Sequence, residues 1–261
     1  MKILFVGDIL GRAGRRAVQQ NLSKVQAEHG IDLTIVNVEN AAGGFGVSSA
    51  IAEAILKMGA DVLTSGNHIW DQKEVYPHLD RQPRLLRPAN YPPGVPGHGV
   101  WIGKSRSGVP VAVLNAQGRV FMANIDCPFQ VIQRELERID ESVKVIVVDF
   151  HAEATAEKMA FGWYLDGRVS AVIGTHTHIP TADVRVLTAG TAYVTDVGMT
   201  GSYDSVIGMR VEESLARFLT GVGSRFQPVI QDPRFSSVII EVDEASGRAV
   251  HIERCDIPAA L

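Results

Sequence analysis

The chain has 261 residues, of which 46% are hydrophobic and 21% charged, and its formal net charge is -4. That balance describes an ordinary globular chain with enough length for one sizeable core. It offers no basic excess for non-specific duplex binding, although a local basic pocket for one phosphate stays allowed. No apolar run approaches the ~20 residues that span a bilayer, and residues 1–6 are too short for a signal peptide and are cut by Gly7-Asp8. Cys127 and Cys255 lie far apart in no C-x-x-C pattern, as free thiols of a reducing compartment do. The expectation is one domain over 1–261, cytoplasmic, with no membrane contact.

Residues 3–6 read as a strand buried on both faces, ending in Gly7-Asp8. A loop holding Gly11 and Gly14 follows, and a helix is predicted from about 15 to 29. The glycines at 7, 11 and 14 do not make G-x-G-x-x-G, and no Gly-Lys-Ser/Thr follows. A dinucleotide or P-loop site therefore has little support. Asp8 reads equally as a turn residue and as a metal carboxylate. Residues 33–38 are the second strand, ending in Glu39-Asn40, with a flexible loop at 41–46. A helix spans 48–58 with Ser48 or Ser49 as N-cap. The third strand, 62–64, ends in Ser65-Gly66-Asn67-His68. Right-handed crossovers bring Asp8, Glu39-Asn40 and Asn67-His68 to one edge of a parallel sheet.

A short helix is predicted over 71–80. Residues 81–98 carry five prolines and form a long irregular segment, of a size that is often functional; within it 88–92 reads as pocket lining or as surface loop. Strands at 99–104 and 111–116 form a hairpin around 105–108. A helix follows at 129–139, then a buried strand at 143–150 ending in His151, then a helix at 155–165. The next strand is short, broken by Gly174, with His176 and His178 just beyond. In an extended segment residues i and i+2 face one way, which points both imidazoles into one crevice. A hairpin joins 185–187 to 191–194, residues 196–201 are a glycine-rich loop placed to close over a site, and 235–242 pairs with 249–254. Parallel units early and hairpins later make a mixed-sheet or two-sheet α/β layer structure with helices outside.

The strand ends collect Asp8, Glu39, Asn40, Asn67, His68, His151, His176 and His178. These oxygen and nitrogen donors suffice for two cations, and the absence of thiolate suits Mn, Fe, Zn, Ni or Mg rather than an iron–sulfur cluster. Glu39 can span both ions. A pair roughly 3.5–4 Å apart lowers the pKa of a bridging water and stabilises phosphoryl charge during in-line displacement. Each residue also has a plainer reading. His68 can cap a turn, and Asp149 and Glu153 can orient His151. Trp70, Trp163 and Tyr164 suit core or interface, and His29, His78, His98 and His251 suit solvent.

Asp8, Gly66-Asn67-His68, Asp149-Phe150-His151 and Gly174-Thr175-His176-Thr177-His178 resemble the ordered blocks of the calcineurin-like metallophosphoesterases. Gly7-Asp8-Ile9, Asn37-Val38-Glu39-Asn40-Ala41, Gly162-Trp163-Tyr164-Leu165-Asp166-Gly167 and Thr195-Asp196-Val197-Gly198-Met199-Thr200-Gly201 narrow the resemblance to the YmdB-type branch, described as cyclic-nucleotide phosphodiesterases, over essentially the whole chain. Against the wider superfamily, Leu10 stands where a histidine is usual, Glu39-Asn40 where Gly-Asp is usual, and Ile69 where an acidic residue follows the histidine.

The resemblance implies an αββα sandwich of two mixed β-sheets flanked by helices. It implies one cation on Asp8, Glu39, Asn40 and His178, and a second on Glu39, Asn67, His151 and His176. Iron or manganese leads, with zinc or magnesium behind. A bridging hydroxide attacks phosphorus, and His68, itself no ligand, protonates the leaving alkoxide. The substrate is a small 2′,3′- or 3′,5′-cyclic nucleotide. The alternatives are a phosphomonoesterase, an RNA-directed phosphodiesterase, or a nucleotide- or RNA-binding regulatory module with little turnover. Aromatics near Trp163 offer a contact for a second copy of the chain.

Overall fold

The computed structural model describes residues 1–223 and 225–260. Two large sheets lie face to face. The first has strands in the order Ala249–Arg254, Ser237–Val242, Lys2–Val6, Leu33–Asn37 and Val62–Thr64. Its last three strands are parallel and the first two join antiparallel. The second sheet runs Val100–Lys104, Pro110–Gln117, Val145–His151, Ala171–Thr175, Ala192–Val194 and Arg185–Val186, with its four central strands parallel. A small third sheet orders Ile257–Pro258, Pro233–Phe235, Met199–Ser202 and Asp8–Ile9.

The period-2 alternation of the strands decides the layering. Ile3, Phe5, Leu33, Ile35 and Val62 point inward and meet Val111, Val113, Val145, Val147 and Ile173 of the opposite sheet. Leu4, Val6 and Val36 point the other way, against Val18, Leu22 and Val25 of helix Gly11–His29. On the far side Leu114, Val148 and Phe150 pack on Phe161 and Leu165 of helix Thr155–Leu165 and on Ile132 of helix Pro128–Leu136. The result is helices, sheet, sheet, helices. Strands covered on both faces are uniformly apolar for that reason, and each fully buried Leu, Ile or Phe contributes about 1.5–3 kcal/mol.

The sequence-based boundaries fail in a few places, each with a physical cause. The first helix begins at Gly11, not near Arg15. Gly14 belongs to it because the helix presses on strand Met199–Ser202, and a Cβ there would stand 2.1 Å from the Thr200 carbonyl oxygen. Residues 67–79 form three short pieces, Asn67–Trp70, Lys73–Val75 and Tyr76–Leu79, rather than one helix over 71–80; Pro77 cannot continue a preceding helical turn. Gly174 does not break its strand. It lets the strand pass the Thr195 carbonyl, 1.8 Å from where a Cβ would be. Of residues 196–201, expected to be a loop that closes over a site, 199–201 belong instead to the buried strand Met199–Ser202, which pairs with Asp8–Ile9. Ser48 is the N-cap of helix Ser49–Lys57, accepting from the Ile51 N–H at 3.2 Å. Among the described residues no helix is long and apolar enough to cross a membrane.

Candidate metal centre

The carboxyl ends of the parallel strands of both sheets open on one side, and all eight singled-out residues arrive there. Asp8 comes from strand Asp8–Ile9, Glu39 and Asn40 from just past Leu33–Asn37, and Asn67 and His68 from just past Val62–Thr64. His151 ends strand Val145–His151, and His176 and His178 follow Ala171–Thr175. His151 Nε2 lies 3.3 Å from Glu39 Oε1, and His151 Nδ1 lies 3.8 Å from Asp8 Oδ1. His176 Nδ1 is 3.0 Å from His151 Nε2, and Asn40 Nδ2 is 3.0 Å from His178 Nε2. The backbone N–H of His176 donates to Asp8 Oδ2 at 2.9 Å, and that of His68 to Glu39 Oε1 at 2.7 Å. Asn67 is carried in by Gly66, whose missing side chain leaves room for the His151 ring.

The two histidines at 176 and 178 do not converge through an extended backbone, as their spacing suggests. Both lie in the left-handed region, with φ 101° and 67°. That conformation costs a non-glycine residue of order 1–2 kcal/mol and is held from outside. Asp196 Oδ2 accepts from the Thr177 N–H at 3.0 Å and from Lys158 Nζ at 2.7 Å, and Lys158 Nζ also donates to the Thr175 carbonyl at 2.6 Å. The Lys158 and Asp196 side chains are both buried.

Each imidazole commits one nitrogen to a protein acceptor and keeps the other inside. His151 Nδ1 donates to Thr175 Oγ1 at 2.9 Å, and the Thr175 hydroxyl donates on to Asp149 Oδ1 at 2.7 Å. His178 Nδ1 donates to the Ile207 carbonyl at 3.0 Å. His176 Nε2 stands 3.1 Å from Glu153 Oε2. These tautomers follow from the hydrogen-bond network. Metal-binding histidines are oriented by outer partners in this way. Four buried oxygens have no hydrogen-bond donor: Asp8 Oδ1, Glu39 Oε2, Asn40 Oδ1 and Asn67 Oδ1. Leaving such acceptors unpaired costs about 1–3 kcal/mol each, more when charged, and a bound cation could meet all four. Among the described residues no three His, Cys, Asp or Glu side chains already stand as a closed metal cluster; two donors are asparagines, and the inward nitrogens hydrogen-bond to one another.

Electrostatics reflect that mutual pairing. Burial pushes the Asp8 carboxyl up to about 8. For His151 burial opposes protonation, but Glu39, Asp8 and Asp149 together outweigh it and raise the imidazole to about 9. Burial and the His151 charge push His176 down to about 2, and burial lowers His178. Burial likewise raises Asp149, to about 6. His151 and Glu39 thus stand as an ion pair.

His68 differs from the others. Its Nδ1 donates to Asp71 Oδ2 at 2.7 Å, its side chain is 31% exposed, and the Phe45 ring meets it edge-on at 5.2 Å. Its Nε2 is free to face a ligand in the adjoining cleft. That cleft, roughly 670 Å³, is lined by Asn40, His68, His176 and His178 together with the apolar Phe45, Ile207 and Phe218, a size suited to a small organic ligand.

Some expectations need correction. Glu153 touches His176, not His151. His78 is not simply solvated: it is half-buried with Nε2 3.3 Å from Glu53. Trp70 packs between Tyr76 and Tyr91, whereas Trp163 is half-exposed beneath Arg185. Sequence reasoning misses Lys158, Thr175, Asp71 and Asp196 as supports. Lys158 carries a signal, since it lies on the same helical stripe as the buried Phe161, Gly162 and Leu165.

The fold and site define a two-sheet α/β sandwich with a histidine- and carboxylate-lined centre at the carboxyl edge of its strands. The chain belongs to the YmdB-like protein family, whose profile matches residues 4–255. It is 46% identical over 254 residues to the 2′,3′-cyclic-nucleotide 2′-phosphodiesterase of Bacillus subtilis (strain 168), covering 97% of this chain and 96% of that one. A crystal structure of a hypothetical protein from Thermus thermophilus superposes with a TM-score of 0.93 at 43% identity, covering 100% of both chains. One described as a novel phosphatase from Mycoplasma pneumoniae superposes with a TM-score of 0.93 at 33% identity, covering 99% of this chain and 94% of that one.

Proposed function

We propose that the chain is a metal-dependent phosphoric diester hydrolase that opens a 2′,3′-cyclic nucleotide to a nucleoside 3′-monophosphate. The naming of the Bacillus subtilis relative supports the substrate class. The observation that carries the metal is the set of four donorless buried oxygens facing three imidazoles, each with one nitrogen turned inward. Asp8, Glu39, Asn40 and His178 would hold one cation, and Glu39, Asn67, His151 and His176 the other. Mixed oxygen and imidazole donors suit iron or manganese, with zinc or magnesium behind. When bound, two such ions activate water and neutralise phosphoryl charge.

The remaining work falls to the protein. His68, held by Asp71, delivers a proton from Nε2 to O2′ as the phosphorus–O2′ bond breaks. The apolar side chains lining the cleft beside the histidines, Phe45 and Ile207 among them, receive the base and exclude water. Thr175 and Asp149 keep the His151 ring in place. Glu39→Gln is the test. The wild type hydrolyses 2′,3′-cyclic AMP with added Mn or Fe, and the variant loses both turnover and bound metal by mass spectrometry. Full turnover by a metal-stripped Glu39→Gln protein would sink the reading. Running 3′,5′-cyclic AMP and a phosphomonoester beside it decides between the two rings and between diester and monoester.

A further inference from the structure

On the outer face of the first sheet, away from the candidate metal centre, helix Gly11–His29 and helix Ser49–Lys57 enclose a groove of about 710 Å³ that shares no lining residue with the catalytic cleft. Arg12, Arg15 and Arg16 line one wall, and Ile51, Ile55 and Met58 line the other. The arginines stand at i, i+3 and i+4, so their guanidinium groups share one face of the helix and repel one another. The cationic side chains paired with carboxylates among the described residues are Lys2, Arg106, Arg138, Lys158, Arg234 and Arg254; none of the three is among them. A chain with net charge -4 has carboxylates to spare, yet three positive charges gather here without one. Burial and the neighbouring Arg12 charge pull the Arg15 pKa down, the signature of a crowded, uncompensated cation.

We infer that this groove is a second binding site, for the dianionic phosphate and base of a nucleoside monophosphate. Guanidinium groups match phosphate oxygens in fork geometry, which accounts for the charged wall. The facing apolar wall accounts for a flat ring rather than a bare phosphate, and the volume fits one nucleotide rather than a strand. Arg15 also donates to the Ala41 carbonyl, in the turn that directly follows Glu39 and Asn40. The Gly11 N–H donates to the Asn40 carbonyl at 2.9 Å. A nucleotide drawn onto Arg15 therefore acts on the segment that carries two of the candidate metal donors.

Titration calorimetry of the full chain with adenosine 3′-monophosphate, inorganic phosphate and adenosine tests this. The nucleotide binds wild type and Glu39→Gln alike. Arg12→Gln/Arg16→Gln, two exposed positions outside the cleft, weakens binding by at least about tenfold, the worth of one charge-assisted hydrogen bond, while hydrolysis of a saturating cyclic nucleotide is unchanged. Phosphate alone binds more weakly and adenosine more weakly still. Equal binding by the double arginine variant, loss of binding in Glu39→Gln instead, equal affinity for phosphate and nucleotide, or no binding at all would each overturn the assignment. The binding readouts, which decide the assignment, do not depend on the chain being a phosphodiesterase, so failure here and failure of that reading are separate results.

Discussion

Replacing Lys158 with Met removes an ammonium that is 1% exposed and leaves Asp196, 0% exposed, without its counter-charge. The two lengths are comparable, so packing changes little, and the loss is electrostatic. Breaking one partner out of a buried pair costs about 3–5 kcal/mol, a large share of the about 5–15 kcal/mol that holds a domain together. For a chain of this size that corresponds to a drop in Tm of about 10 °C. The Thr175 carbonyl also loses one of its two donors, keeping only the Ala152 N–H at 3.3 Å, and the turn that holds His176 and His178 in left-handed conformations loses one of its anchors. Lys158→Met is therefore expected to melt early and also to bind metal less tightly at temperatures where it is folded. Calorimetry and metal analysis measure the two effects. Lys158→Met/Asp196→Asn, which removes the stranded charge while keeping an oxygen for the Thr177 N–H, recovers most of the stability. A single variant melting within a degree or two of wild type, or a double variant no better than the single, refutes the reasoning.

Gly66→Ala would put a Cβ 2.1 Å from the His151 ring, so the ring must leave; metal content falls while circular dichroism stays native, and unchanged metal content counts against the geometry. His68→Gln lowers kcat about 10²–10⁴-fold for an alkoxide leaving group and much less for p-nitrophenolate, which needs no proton; equal losses on both remove His68 from the acid role. In the metal-free protein the folded state holds protons on Asp8 up to about 8 against an ordinary 3.8, and on His151 up to about 9 against 6.5. The folded chain thus binds more protons than the unfolded one between pH 6.5 and 9, and its stability falls as pH rises through that window. His176, at about 2, is neutral when folded but half-protonated at pH 6.5 when unfolded, so it offsets part of the slope at the lower edge of the window and nothing at its upper edge. Thermal melts of stripped protein at pH 6.5 and 9 check the sign. Cation loading must displace those two protons, so metal affinity rises over the same window.

Much of the centre can be read from the chain because each donor follows an apolar run that can only be a buried strand. Asp8, Glu39 and His151 sit where such runs stop, and a parallel sheet has no choice but to gather its strand ends. What escapes depends on contacts between segments far apart in sequence. Lys158 reaches Asp196 and Asp149 reaches Thr64 across separate elements, and no local pattern pairs them. The left-handed turn at 176–178 is likewise imposed by Asp8 from another strand and by Asp196 from the loop after Ala192–Val194. Helix Gly11–His29 reads too short from the sequence because its glycines look like a loop, when Gly14 is there for the strand that crosses beside it and Gly11 for the left-handed φ of 56° that starts the helix.

Strand Lys2–Val6, the first made, lies in the middle of its sheet and pairs antiparallel with Ser237–Val242, almost the last. A chain emerging from the ribosome therefore carries an unclosed sheet until residues 237–242 have been made, and such distant pairing is slow to form. Asp8 waits on another distant strand, since its own partner is Met199. A truncated product ending before residue 237 would contain all seven candidate donors and His68 and still lack the two antiparallel strands that complete the first sheet beside Lys2–Val6, so premature termination yields a chain complete in chemistry and incompetent in shape.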